Sequence, residues 1–257
     1  MIRFEGLHKV FNPGTPDENV LFQDFNLTVE DGSFVSIIGS NGSGKTTLLN
    51  LMCGSLQPDA GRILLGDTDV TAMPEHRRAR RIGRVLQDPK MGTCGDLTIL
   101  ENLALADNKG RAYSLGRAVN RARVAYYREL LAQCHMGLEN RLQVPVGSLS
   151  GGQRQALALV IANMSDIDLL ILDEHTAALD PKSSETVMEL TQQFVAEKGV
   201  TTLMVTHNLR FAVEYGDRLL MMHQGGVVLD LGGEQKQHAT VEQLLTQFNA
   251  ISIECGN

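Results

Sequence analysis

Two groups of residues in this sequence have the types and spacing of phosphate chemistry. Gly39-Ser40-Asn41-Gly42-Ser43-Gly44-Lys45-Thr46 follows the pattern G-x-x-x-x-G-K-[ST] and lies between an apolar stretch, SFVSIIG, and a segment with helical character. Glycines let successive N–H groups turn inward onto phosphate oxygens, and the following helix adds the partial positive charge of its N-terminus. Lys45 would reach the β- and γ-phosphates, and the Thr46 hydroxyl would bind Mg²⁺. The plainer alternative is a glycine-rich turn with a chance Lys-Thr, but strand, loop and helix all agree with the nucleotide reading. The second group is Leu169-Leu170-Ile171-Leu172-Asp173-Glu174, four apolar residues followed by two carboxylates. A central parallel strand is apolar on both faces, and ligands of open α/β sheets bind at the carboxyl ends of such strands. Asp173 is therefore placed to hold Mg²⁺, and Glu174 to orient or deprotonate an attacking water. Phosphoryl transfer asks for positioning and charge neutralisation, which this division of labour supplies.

These residues need elements to hold them. Residues 1–38 read as strands and turns, with FNLTV (25–29) and SFVSIIG (33–39) between turn signals such as Asp31-Gly32. A helix is predicted from Lys45 to about Met52, stopping near Gly54, and a hairpin over 61–70. The basic stretch 75–84, EHRRARRIGR, reads as a solvated helix in preference to a phosphate or lipid contact. Helical character fills 98–136, interrupted by the polar linker DNKGRAYSLGR. SLSGGQ then opens a helix, 167–174 a buried strand, 183–198 a helix and 200–207 another buried strand. That alternation indicates βαβ units and a mainly parallel sheet. The stretch from about 89 to 158 interrupts it, and reads as a helical subdomain inserted in one domain spanning 1–257.

Composition narrows the classes. The net charge of −7 opposes a generic nucleic-acid binder, which would need a basic surface. Cys53, Cys94, Cys134 and Cys255 lack CxxC spacing, so neither zinc nor redox chemistry is indicated. The first residues, MIRFEGLHKVF, lack the apolar core of a signal peptide, and no apolar run approaches the ~18 residues of a spanning helix. Work at a membrane would require a partner that crosses it.

Leu149-Ser150-Gly151-Gly152-Gln153 is a third anion-site signal, small residues and a serine at a helix N-terminus. With it, the chain resembles the ABC ATPase family over about residues 2–230. The resemblance implies an α/β P-loop fold with a mainly parallel core sheet, a small antiparallel β subdomain and an inserted helical subdomain. It implies ATP and Mg²⁺ as ligands, with ATP bound by Gly39 to Thr46 and Thr47. The signature would grip the γ-phosphate of ATP held by a second copy, in a head-to-tail homodimer. By the same resemblance Gln87 is the Q-loop residue that senses Mg²⁺ and the permease, so that Thr46, Gln87 and Asp173 form the metal set. Ala178-Leu179-Asp180 is the D-loop, and His207 the switch histidine that contacts the γ-phosphate. Lys45, Gln87, Glu174 and His207 are then the catalytic set. Phe11 matches the aromatic that stacks on adenine, although it could equally be a core residue of the first hairpin.

The family usually carries Pro after the catalytic Glu; here the residue is His175, in DEHTAALDPK. The plainer reading is that His175 tolerates the turn; the sharper one is an imidazole that makes hydrolysis pH-sensitive. The string is similar to that of bacterial uptake ATPases paired with amino-acid-type permeases and lipoprotein binding proteins. That similarity implies an aromatic amino acid, tryptophan in particular, as the solute. The expected setting is the cytoplasmic face of a membrane, with an integral permease and an extracytoplasmic substrate-binding protein as partners. The permease would dock near Gln87 and residues 88–97. A soluble ABC ATPase acting on DNA or ribosomes is the main alternative. Against it stand the 109 residues between Gly39 and Leu149, which hold no heptads, and the single cassette.

Overall fold

The computed structural model describes residues 1–109 and 118–254, with backbone only for the last four. Met1–Ala79 carry strands β1 (Ile2–Phe11), β2 (Asn19–Val29) and β3 (Phe34–Gly39), helix α1 (Lys45–Cys53), strands β4 (Ala60–Leu65) and β5 (Thr68–Asp69), and helix α2 (Glu75–Arg78). Arg80–Lys198 follow with β6 (Ile82–Val85), α3 (Pro89–Gly92), α4 (Ile99–Asp107), α5 (Val124–Ala132), α6 (Gly151–Asn163), β7 (Leu169–Asp173) and α7 (Pro181–Lys198). From Gly199 onward come β8 (Thr201–Val205), α8 (Leu209–Glu214), β9 (Arg218–His223), β10 (Gly226–Gly232), α9 (Gly233–Gln237) and α10 (Val241–Glu254). Two compact units result, one of residues 1–79 and 199–257, the other of residues 80–198.

The first unit holds two sheets. The antiparallel one runs β2-β1-β4-β5. Its core side is aromatic, with Phe4, Phe22 and Phe25 buried and their rings 4.9 to 6.3 Å apart between centroids. The other contains the order β10-β9-β3-β8, in which β3 pairs in parallel with β8 and β9. β3 and β8 are buried at every position, as parallel strands covered on both faces must be. Ile38, Leu219 and Met221 of this sheet pack with Ala212 of α8 and Leu244 of α10. β8, α8, β9 and β10 complete the unit after a long excursion of the chain. Of these only β8 was anticipated from sequence. The predicted helix after the phosphate loop is α1, closed by Gly54 in the left-handed region.

The basic stretch departs from its expected solvated helix. Only Glu75–Arg78 is helical, and Arg78 is wholly buried. Its Nη1 donates to the carbonyls of Leu51 and Met52 at 2.6 and 3.0 Å, its Nε to Met73 and its Nη2 to Thr71, both at 2.8 Å. A cation on the last carbonyls of α1 satisfies groups that the helix cannot pair itself and complements its dipole. Partners 26 and 27 residues away outweighed the local charge pattern. Arg84, at the other end of the stretch, is a strand residue.

In the second unit β6 and β7 form a parallel pair, with Arg84 opposite Ile171 and Val85 opposite Leu172. The helical stretch expected over 98–136 comprises α4, a 3-10 turn at Arg121–Arg123 and α5. Residues 110–117, which include most of the predicted linker, lie outside the described residues, as does Cys255. Asp107 at the end of α4 accepts from Arg123 Nε and Nη2 at 2.9 and 2.7 Å and from the Tyr127 hydroxyl at 2.8 Å, which ties α4 to α5. The expected subdomain limit at 158 falls inside α6, which is continuous to Asn163. Among the described residues no helix is long and apolar enough to cross a membrane.

Candidate functional site

The loop Gly39–Gly44 turns out of β3 and into α1 as its spacing predicted. Gly44, the residue before the first helical turn, has φ 103°, a conformation that disfavours any side chain, and a Cβ there would press on the Phe22 ring at 3.0 Å. No side chain caps the helix. An uncapped helix N-terminus beside a glycine loop is the arrangement of an anion site. Lys45 is buried and folds back over the loop, with Nζ donating to the carbonyls of Gly39 and Ser40 at 2.8 and 2.9 Å. Those bonds hold the ammonium where incoming phosphates can replace carbonyl oxygens. Ser40, Asn41, Gly42 and Thr46 are exposed, Ser43 is buried, and Thr47 is half-buried.

His207 follows β8 and is exposed. The register aligns Ile37 with Val205, so Gly39 and His207, each two residues further on, emerge at the same carboxyl edge of the sheet. Thr206 anchors this exit by donating its amide to the Ile37 carbonyl at 3.2 Å, and Asn208 caps α8 immediately afterwards. Phe11 ends β1 opposite Asn19, half-buried, with the Lys9 ammonium 5.7 Å from its ring centroid. It stands outside the buried aromatic cluster of the hairpin, which disfavours the core alternative. The loop after it is braced by its own bonds, including Gly14 N–H to Glu18 at 2.6 Å.

In the second unit the same register logic applies. Val85 pairs with Leu172, so Gln87 and Glu174 both lie two residues beyond the pair, at one carboxyl edge. Gln87 is exposed and Asp173 nearly buried. Glu174 has φ 49°, in the left-handed region. For a glutamate this is a strained conformation costing on the order of 1 kcal/mol, of the kind that persists at functional sites. It ends β7 abruptly and turns the chain. The carboxylate of Asp173, the hydroxyl of Thr46 and the amide oxygen of Gln87 are hard oxygen donors, the chemistry that Mg²⁺ selects.

His175 is wholly buried and shares a 3.3 Å hydrogen bond with the Thr191 hydroxyl of α7. Burial pulls its pKa down to about 4, so the ring is neutral at physiological pH. Burial and a neutral ring favour the plainer reading of this departure from the family pattern over the pH sensor.

Ser150 caps α6 through a capping box. Its hydroxyl accepts from Gln153 N–H at 3.3 Å, and the Gln153 side chain accepts from Ser150 N–H at 3.3 Å. Gly152 is required by packing, since a Cβ would lie 2.9 Å from both side-chain atoms of Ser183 on α7. Leu149 is buried, whereas Ser150 and Gly151 are exposed. Gly151 faces the Leu179 side chain, and Ala178 beside it is exposed. Asp180 accepts from Ser183 N–H at 3.1 Å at the start of α7, and hydrogen bonds from the Ser183 hydroxyl and then its N–H hold its carboxylate below the usual range.

Three functional neighbours escaped the sequence. Gln155 of α6 is buried and donates to the Leu86 carbonyl at 3.1 Å, next to Gln87. Arg154 donates to the Thr93 hydroxyl at 2.8 Å, so the signature helix holds the chain on both sides of Gln87. His223, at the end of β9, places Nδ1 3.4 Å from the Ser40 hydroxyl. Only the first two had a signal, their position one and two residues after the signature.

The sequence pattern of the family described as ABC transporter matches residues 22–177. The chain is 46% identical over 248 residues to the tyrosine transport ATP-binding protein of Clostridioides difficile, covering 96% of this chain and 98% of that one. It is 37% identical to an energy-coupling factor transporter ATP-binding protein of Symbiobacterium thermophilum, over 88% of this chain and 76% of the other. Among solved structures it is similar to a dimeric ATP-binding cassette in a post-hydrolysis state bound to ADP and Pi. The TM-score is 0.76 at 28% identity, over 90% of this chain and 98% of that one.

Proposed function

This chain belongs to the ABC transporter family of ATP-binding proteins and is an ATPase, and from that premise we propose that it is the motor subunit of an importer for an aromatic amino acid. The observation that carries the proposal is the similarity to the tyrosine transport protein, which extends over 98% of that protein's length. The expectation of tryptophan drawn from DEHTAALDPK points to the same chemical class.

In the proposed mechanism ATP lies on the loop Gly39–Lys45 with its adenine against Phe11. Lys45 exchanges its loop carbonyls for the β- and γ-phosphate oxygens. Thr46, Gln87 and Asp173 would hold Mg²⁺, which supplies charge neutralisation on the phosphates. Glu174 accepts the proton of the attacking water, and His207 hydrogen-bonds the γ-phosphate. Ser150 and its helix N-terminus bind the γ-phosphate of ATP carried by a second copy, so each active site of the homodimer takes parts from both chains. The D-loop, Ala178 to Asp180, lies between the signature glycines and α7 and relays closure. The segment around Gln87, held by Gln155 before it and Arg154 after it, transmits that closure to a permease at the cytoplasmic face of the membrane.

Co-purification tests the proposal. The tagged chain is extracted from its native membranes in mild detergent. The expected companions are a polytopic permease in equimolar amount and, with it, an extracytoplasmic binding protein whose bound solute is an aromatic amino acid. Recovery with ribosomes or DNA and no permease would overturn the transporter assignment.

A further inference from the structure

Asp173 already has a cationic partner. Arg84 Nη2 donates to Asp173 Oδ2 at 2.8 Å, and both side chains are largely buried, 22% and 13% exposed. The strand register explains the approach. Arg84 stands opposite Ile171, and Asp173, two residues along β7, projects from the same face of the pair.

The form of this contact differs from the protein's structural arginines. Arg78 uses Nε and both terminal nitrogens on four carbonyls. Arg123 and Arg218 each grip a carboxylate through Nε and Nη2 together, on Asp107 and Asp230. Among the described residues Arg84 meets Asp173 through Nη2 and Oδ2 alone, and its buried Nε has no hydrogen-bond partner there. Burying a guanidinium with an unsatisfied donor costs free energy that a purely structural pair would avoid by the two-pronged geometry. The arrangement suits a carboxylate that must be held in place and then shared with a second cation.

We propose that Arg84 is a positioning residue for the magnesium step, a resident counter-cation of Asp173 that raises the Mg²⁺ concentration the site requires. This rests on Asp173 being the metal-binding carboxylate. Without metal, Arg84 neutralises a carboxylate that would otherwise be buried and uncompensated. When Mg²⁺ binds, the guanidinium and the ion share one carboxylate and repel each other. The fixed charge of Arg84 thus weakens metal binding and keeps occupancy dependent on the phosphates that arrive with it.

The test is the binding of a fluorescent non-hydrolysable ATP analogue to the full chain, titrated with Mg²⁺. Arg84→Met should lower the half-saturating Mg²⁺ concentration by about three- to tenfold, the scale expected for removing one charge close to a divalent ion. Affinity for the analogue in excess chelator should stay within about twofold of wild type. Arg84→Gln should shift the same way, which keeps the test valid if the methionine variant folds poorly. Arg84→Lys, which retains the charge, should remain within about twofold of wild type. An unchanged or raised Mg²⁺ requirement in both neutral variants overturns the proposal. Asp173→Asn separates the two levels: if it raises the Mg²⁺ requirement while the neutral Arg84 variants change nothing, only the role of Arg84 falls. If it leaves the requirement untouched, the metal assignment of Asp173 falls and the role of Arg84 with it.

Discussion

At the scale of single residues, the charges most exposed to selection by chemistry are also the ones the fold perturbs. Lys45 is held by backbone carbonyls, Asp173 by Arg84, and Glu174 by a strained backbone, each poised before any ligand arrives. His175 shows the opposite use of an ionisable group. Its ring is buried and neutral, with burial lowering its pKa to about 4. An unfolded imidazole titrates near 6.5, so the stability tied to the neutral ring is complete above that pH and drains away as the pH falls towards 4. The amount is about 3 kcal/mol, from roughly 1.4 kcal/mol per pH unit. In urea unfolding from pH 7.5 to 4.5, wild type should therefore lose roughly 2 to 3 kcal/mol more than His175→Asn. Parallel losses in the two proteins would show that the histidine is not the titrating group. Between pH 7 and 8 the ATPase profile of His175→Asn should follow that of wild type.

At the scale of elements, the two helices whose N-termini are the proposed phosphate sites are fastened in different ways. α1 is anchored at its carboxyl end by Arg78, and α6 is held along its first turns by Ser150, Arg154 and Gln155. α1 has no side-chain cap at its N-terminus, so its positioning comes from its other end. Arg78→Met should strand four carbonyls and destabilise the protein by on the order of 3 kcal/mol. The expected signature is a lowered urea midpoint with weakened nucleotide binding. A midpoint equal to that of wild type would show that water replaces the guanidinium at little cost. On α6, the Ser150 hydroxyl accepts the capping bond from Gln153 N–H, so in the proposed site its own hydrogen can be donated to a phosphate oxygen with the cap intact.

At the scale of the whole molecule, the proposed active site is shared between two copies, and that can be read directly. With ATP and Mg²⁺, Glu174→Gln should elute as a dimer in size-exclusion chromatography with light scattering, whereas Lys45→Ala should remain at the mass found without nucleotide. A nucleotide-independent mass for Glu174→Gln would remove the shared-site mechanism. Much of the machinery was legible before any fold. The phosphate loop, the Asp173-Glu174 pair and the signature are contiguous runs, and a contiguous run carries its own strand, turn or helix start, so sequence alone determined the elements that present them. It also determined the parallel α/β class, because all-apolar strands alternating with helices admit few other arrangements. The tertiary structure decided what depended on distant partners. It turned Arg78 from a solvated charge into a buried clamp on α1, set Arg84 against Asp173 89 residues away, and sealed His175 beneath Thr191. The physical reason is common to all three: an ionisable side chain takes its role from the groups that surround it, and here those groups come from strands and helices remote in the chain.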